Sequence, residues 1–225
     1  MWIKICGNTN LDDAALAAEL GADALGFVFA ASPRRVTPEQ VAAITPHLPA
    51  AVERIGVFDT DELDEIVATV RASGLTGVQV HRGYSPGLIA SLAARLPGVR
   101  LIQTSHWNVD ADPLAQASRD ASEAAIALLR TDSHIHAVLV DSRTAVASGG
   151  TGVSFDWDAA RRVLAGLAPM PLVVAGGLTP GNVREAITVL EPWGVDVASG
   201  VEARPGVKDP VKLAAFIANT RNSAA

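Results

Sequence analysis

Short runs of β-branched and aliphatic residues alternate along the chain with alanine-rich stretches whose apolar positions recur every three to four residues. The runs predict strands over 2–6, 24–29, 52–58, 77–81, 99–104, 137–141, 172–175 and 195–199. Between them lies helix-start chemistry. At Thr37-Pro38-Glu39-Gln40 the threonine can accept a first-turn amide, proline suits the first helical position, and Gln40 completes a capping box. Pairs of a capping residue and proline recur at Ser85-Pro86, Asp112-Pro113, Thr179-Pro180 and Asp209-Pro210. Periodicity predicts further helices over 10–20, 61–72 and 156–167, and the last helix runs over 210–221.

A strand followed by a helix, repeated without a long linker, fits either an open doubly wound sheet or a closed barrel. Eight parallel strands within 225 residues match a closed (β/α)8 TIM barrel more economically. No shift of composition marks a boundary, so residues 1–225 are expected to form one domain. The irregular stretch over 142–154 reads as an active-site loop.

Such barrels work at the carboxyl ends of their strands, and the polar residues found there are few: Cys6, Arg34 just beyond the second strand, His81, Asp141 and Ser199. In Lys4-Ile5-Cys6 the two-residue period of a strand puts Lys4 and Cys6 on one face and leaves Ile3 and Ile5 to the helices. A thiol at the mouth with an ammonium below it is a candidate base or nucleophile, and equally a small buried hydrophobe. Asp141 ends an otherwise apolar strand, as a proton donor or as a loop carboxylate capping an amide. Gly149-Gly150-Thr151-Gly152, Gly176-Gly177 and Ser199-Gly200 follow the sixth, seventh and eighth strands. Glycines there let main-chain amides approach an anion, and the rim at strands 7 and 8 is the recurrent phosphate cradle of this fold. Asp196 either neutralises Lys4 inside the barrel or serves the site; Arg34 and Arg35 are either site residues or a solvated pair. His47, His106, His134 and His136 show no ligand spacing and read as surface residues, so no metal is expected.

Composition narrows the partners. With 49% hydrophobic and 19% charged residues, disorder is excluded. No apolar run is long enough to span a membrane, and the first residues lack a signal sequence, which together point to the cytoplasm. One cysteine allows neither an internal disulfide nor a structural zinc site. The net charge is −6 and no Lys/Arg run exceeds two residues, so no nucleic-acid partner is expected and a small molecule is. Neither a GxGxxG nor a GxxxxGK[ST] motif occurs.

Taken in order, KICGN from Lys4, GADALGFVF from Gly21, SPRRV from Ser32, IGVF from Ile55, VQVH from Val78, LVDS from Leu139, GGTGVSFDW from Gly149, VAGGLTPGNV from Val174 and GVDVASGVEARPGVKD from Gly194 resemble the phosphoribosylanthranilate isomerase family of tryptophan biosynthesis. The resemblance covers almost the whole chain. It implies a (β/α)8 barrel that converts N-(5-phosphoribosyl)anthranilate to 1-(2-carboxyphenylamino)-1-deoxyribulose 5-phosphate by an Amadori rearrangement, with no cofactor and no metal. It implies Cys6 as general base, Asp141 as general acid, and Arg34, His81 and Asp196 on the substrate. Gly150, Gly176, Gly177, Ser199 and Gly200 are the phosphate-binding candidates. The expected partner is a phosphosugar, bound by a monomer or homodimer. The pattern departs from the family at Asn8, at Arg82 and in the fifth-strand region. Related histidine-pathway isomerases place an aspartate where Cys6 stands, and a non-catalytic phosphosugar-binding barrel has no reason to keep both Cys6 and Asp141.

Overall fold

The computed structural model describes residues 1–108, 116–143 and 157–223. Its strands are β1 (Trp2–Ile5), β2 (Ala24–Val28), β3 (Glu53–Phe58), β4 (Gly77–Val80), β5 (Arg100–Asn108), β6 (Ala137–Arg143), β7 (Leu172–Val174) and β8 (Gly194–Val197). Every neighbouring pair is parallel and β8 closes on β1, so the sheet is a barrel without edges. The helices α1 (Leu11–Glu19), α2 (Pro38–Ile44), α3 (Leu63–Ser73), α4 (Pro86–Arg95), α5 (Gln116–Thr131), α6 (Trp157–Leu164), α7 (Val183–Leu190) and α8 (Pro210–Arg221) each follow one strand. This is the (β/α)8 barrel that the alternation predicts. No helix among the described residues is long and apolar enough to cross a membrane.

Side-chain alternation builds two cores. Ile3, Ile5, Leu25, Phe27, Val138 and Val195 pack beneath the helices, while Trp2, Ala24, Ile55, Ile102, Leu139 and Val173 fill the barrel interior. Trp2 on the inner face carries Lys4, and then Cys6, to the same side by parity. Local chemistry sets several helix starts. Thr37 accepts from the Gln40 amide while Gln40 accepts from the Thr37 amide, the expected capping box. Asp209 caps α8 through the Val211 and Lys212 amides.

Three features differ from the sequence expectation. First, α7 begins at Val183, not at Thr179-Pro180, because the Asn182 side chain organises the turn: it accepts from the Thr179 amide at 2.7 Å and donates to the Gly177 carbonyl at 2.9 Å. Second, β5 and β6 run on together to Asn108 and Arg143, with His106 opposite Asp141. Third, a small antiparallel hairpin of β9 (Glu202–Arg204) and β10 (Val207–Lys208) follows β8. The cap at Asp112-Pro113 and the loop carrying Gly149 to Gly152 lie outside the described residues.

Candidate active site

At the carboxyl ends of the strands the barrel opens into a cavity of about 370 Å³. Cys6, Arg34, His81, Asp141, Asp196, Gly176, Gly177 and Ser199, drawn from the ends of six strands, all line it. Gly150 lies outside the described residues.

Cys6 sits in a pocket that Gly26 leaves open. A Cβ at position 26 would come within 2.6 Å of the Cys6 sulfur and 3.1 Å of Lys4 Cε. Lys4 is wholly buried and donates to Asp196 Oδ1 at 3.0 Å, its register partner across β1 and β8. Its positive charge also acts on the Cys6 thiol, which in turn helps to keep the ammonium charged. Burial works to lower the Lys4 pKa, but Asp196 and Cys6 outweigh it and hold it above the ordinary lysine value. For Cys6, burial raises the thiol pKa, Asp196 adds to the rise, and Lys4 and Lys208 oppose it without prevailing. The expected cation is therefore in place, yet desolvation wins and the thiol ionises above its ordinary range, not below it.

Beneath Cys6 runs a second charged network. Lys208 Nζ donates to the Cys6 carbonyl oxygen and to Glu202 Oε1. Glu202 in turn holds the Arg34 guanidinium in a two-pronged pair, Nε to Oε1 at 2.9 Å and Nη2 to Oε2 at 2.7 Å. Burial alone would raise the Glu202 pKa, but Arg34 and Lys208 hold it below the usual carboxylate value. The Arg34 stem lies over Gly7, where a Cβ would meet Arg34 Cδ at 2.6 Å and where φ is +73°. Arg34 is thus a fixed wall of the cavity, whereas Arg35 is exposed to solvent.

On the opposite wall His81, His106 and Asp141 cluster at the ends of β4, β5 and β6. The His81 and His106 rings meet edge to face, centroids 4.6 Å apart. His106 Nε2 lies 2.8 Å from the His81 carbonyl oxygen. That oxygen can only accept, so Nε2 carries the hydrogen. One imidazole nitrogen from each ring and a carboxylate oxygen of Asp141 lie within 4.8 Å of one another. The reading of His106 as a surface residue is therefore corrected. Its strand extends past Thr104, and parity from inward-facing Ile102 carries Thr104 and His106 to the cavity side. His47, His134 and His136 are exposed, as expected.

The loops after β7 and β8 complete the rim. Gly176 and Gly177 have φ of +81° and +66°, the left-handed region that favours glycine. A Cβ on Gly200 would lie 1.9 Å from the Leu178 carbonyl oxygen, so the two loops touch main chain to main chain at a residue that must lack a side chain.

A model of the N-(5'-phosphoribosyl)anthranilate (PRA) isomerase family matches residues 3–219. The chain belongs to this family. The N-(5'-phosphoribosyl)anthranilate isomerase of Pelobacter propionicus is 43% identical over 217 residues, covering 96% of this chain and 93% of its own. A crystal structure of phosphoribosyl anthranilate isomerase from Thermotoga maritima matches with a TM-score of 0.83 at 35% identity, over 99% of each chain. Another, solved in complex with reduced 1-(o-carboxyphenylamino)-1-deoxyribulose 5-phosphate, matches with a TM-score of 0.80 at 34% identity, over 99% of each chain.

Among the residues that bind this isomerase mouth together, sequence reasoning missed Glu202, Lys208, His106 and Asn182. Glu202 and Lys208 fall within the GVEARPGVKD segment, but only the hairpin of β9 and β10 turns them under Cys6. Asn182 follows Thr179-Pro180, and its side chain binds the loop where the cap-then-proline pattern predicts a helix start.

Proposed function

We propose that Cys6 and Asp141 are the base and acid with which this isomerase carries out the Amadori rearrangement of N-(5'-phosphoribosyl)anthranilate. Asp141 gives its proton to the furanose ring oxygen as the C1–O bond breaks, and the anilino nitrogen supplies the electron pair that forms the Schiff base. Cys6, as thiolate, takes the proton from C2; the electrons of that C–H bond move to a C1–C2 double bond and the Schiff base becomes an enolamine. Tautomerisation to the ketone completes a reaction with no net change of atoms or electrons.

The observation that carries the reading is the sharing of one cavity by a thiol after β1 and a carboxylate on β6, so that an acid and a base reach one substrate from different sides. The bare glycines 176, 177 and 200 with Ser199 suit a 5-phosphate, and with them we group Gly150 on the resemblance alone. Arg34, held by Glu202, suits the carboxyphenylamino end. His81 and Asp196 complete the substrate side. The same reading takes residues 1–225 as one barrel domain that acts on a phosphosugar in the cytoplasm as a monomer or homodimer.

Turnover of freshly generated substrate, followed by the loss of its fluorescence, tests the pair. Cys6→Ala and Asp141→Asn should each lower kcat by about 10²- to 10⁴-fold while melting as the parent does. A variant that keeps more than about a tenth of the parent kcat would remove that residue from its role.

A further inference from the structure

We propose that His81, His106 and Asp141 form a site for a divalent transition ion of the zinc type, whose occupancy blocks the isomerase in competition with its substrate. The ligand set is chemically suited: two imidazoles and one carboxylate, with room for water at the cavity side, is a donor set for zinc, cobalt or nickel rather than for calcium or magnesium, which need six or more oxygens.

The fold presents these donors together. His81 follows β4, His106 lies in β5 and Asp141 lies directly opposite it in β6, so three adjacent strands each deliver one ligand atom to a space 4.8 Å across. Ligands about 2.1 Å from a tetrahedral ion stand about 3.4 Å apart, so small side-chain rotations at the rim close the set. His106 already has the outer hydrogen bond that metal-binding histidines use. Its Nε2–H donates to the His81 carbonyl, which fixes the tautomer whose lone pair is on Nδ1 and holds the ring in orientation. Asp59 adds a second carboxylate to the lining of the cavity that holds Asp141.

Binding stands on this geometry alone. Inhibition rests in addition on the proposed role of Asp141: a carboxylate bound to an ion cannot carry the proton that opens the sugar.

The test adds CoCl2 to chelator-treated, full-length protein and follows the visible d–d bands, with ZnCl2 added to displace the cobalt. One cobalt should bind per chain, zinc should displace it, and His106→Gln should weaken binding at least about tenfold. His134→Gln should not. Each protein is compared with itself in chelator, so any change that His106→Gln makes to turnover without metal does not enter the comparison. His106→Phe, which retains the ring contact, repeats the test should the glutamine variant not fold. In the parent, zinc should raise KM for the substrate; in His106→Gln it should not. Absence of a d–d band, a band that survives the loss of His106, or a thiolate-to-cobalt charge-transfer band placing the ion on Cys6 would overturn the site. Binding without inhibition would keep the site, overturn the competition, and count against Asp141 as the acid.

Discussion

Cys6 is 8% exposed, within the electrostatic reach of Lys4 and with Lys208 at its carbonyl oxygen. Because burial outweighs both ammonium groups, the thiolate appears only above the range of a free thiol, which is about 8.5. For a base, the consequence is a rise of kcat/KM with pH whose midpoint lies on the alkaline side of that value. Lys4→Met removes the strongest opposing charge and leaves Asp196 without its partner, so both changes disfavour the thiolate. The limb should move to still higher pH, and the rate of Cys6 alkylation by iodoacetamide at neutral pH should fall in parallel. A limb that stays in place would make Lys4 a partner of Asp196 alone. At this scale the sequence was informative wherever the argument was local: parity put Lys4 and Cys6 on one face and Asp196 within reach. The balance between desolvation and charge was not legible, because it depends on how completely the barrel excludes water and on Lys208, which arrives from the far end of the chain.

Loop geometry sets the phosphate end of the cavity. Gly200 touches the Leu178 carbonyl where a methyl group would stand at 1.9 Å, so Gly200→Ala must push the loops after β7 and β8 apart. Such overpacking costs about 1–3 kcal/mol of stability. A spread rim also loses main-chain contacts to an anion. One hydrogen bond to a charged group is about 1.5–3 kcal/mol, so KM should rise roughly ten- to hundredfold with a smaller effect on kcat. Equal losses in kcat and kcat/KM with KM unchanged would detach this rim from phosphate binding. Elements whose starts depend on neighbouring residues were readable, as at Thr37 and Asp209. The start of α7 was not, since the Asn182 side chain bonds back to Thr179 and Gly177 and delays the helix. The extension of β5 to His106 depends on pairing with β6, and the hairpin of β9 and β10 is short, polar and marked in sequence only by Pro205-Gly206.

The whole molecule closes along the seam between β1 and β8, where Trp2 pairs with Gly194, Ile3 with Val195, Lys4 with Asp196 and Ile5 with Val197. At the same seam α8 ties the ends of the chain, as Arg221 donates to the carbonyls of Met1 and Gly21 and to Asp23. Lys4 and Asp196 are buried inside it, and a buried ion pair is asymmetric in its energetics. Removing one partner strands a charge, at about 3–5 kcal/mol, whereas replacing both by apolar side chains of similar size is often neutral or stabilising. Asp196→Ala should therefore lower Tm by roughly 6–20 °C for a chain of this size. The loss should shrink as pH rises: the stranded Lys4 has its folded pKa pulled below its unfolded value, the unfolded state binds the extra proton, and stability climbs until the amine is neutral in both states. The double variant Lys4→Met/Asp196→Leu should melt close to the parent yet remain slow, because Cys6 has lost the charge of Lys4 and the cavity has lost the Asp196 carboxylate. Thermal melts of the single and double variants at neutral and alkaline pH, read beside kcat/KM, separate the two contributions. A double variant as unstable as Asp196→Ala would mean that the pair sets the barrel's register through its geometry, and that charge alone does not account for its retention at the seam.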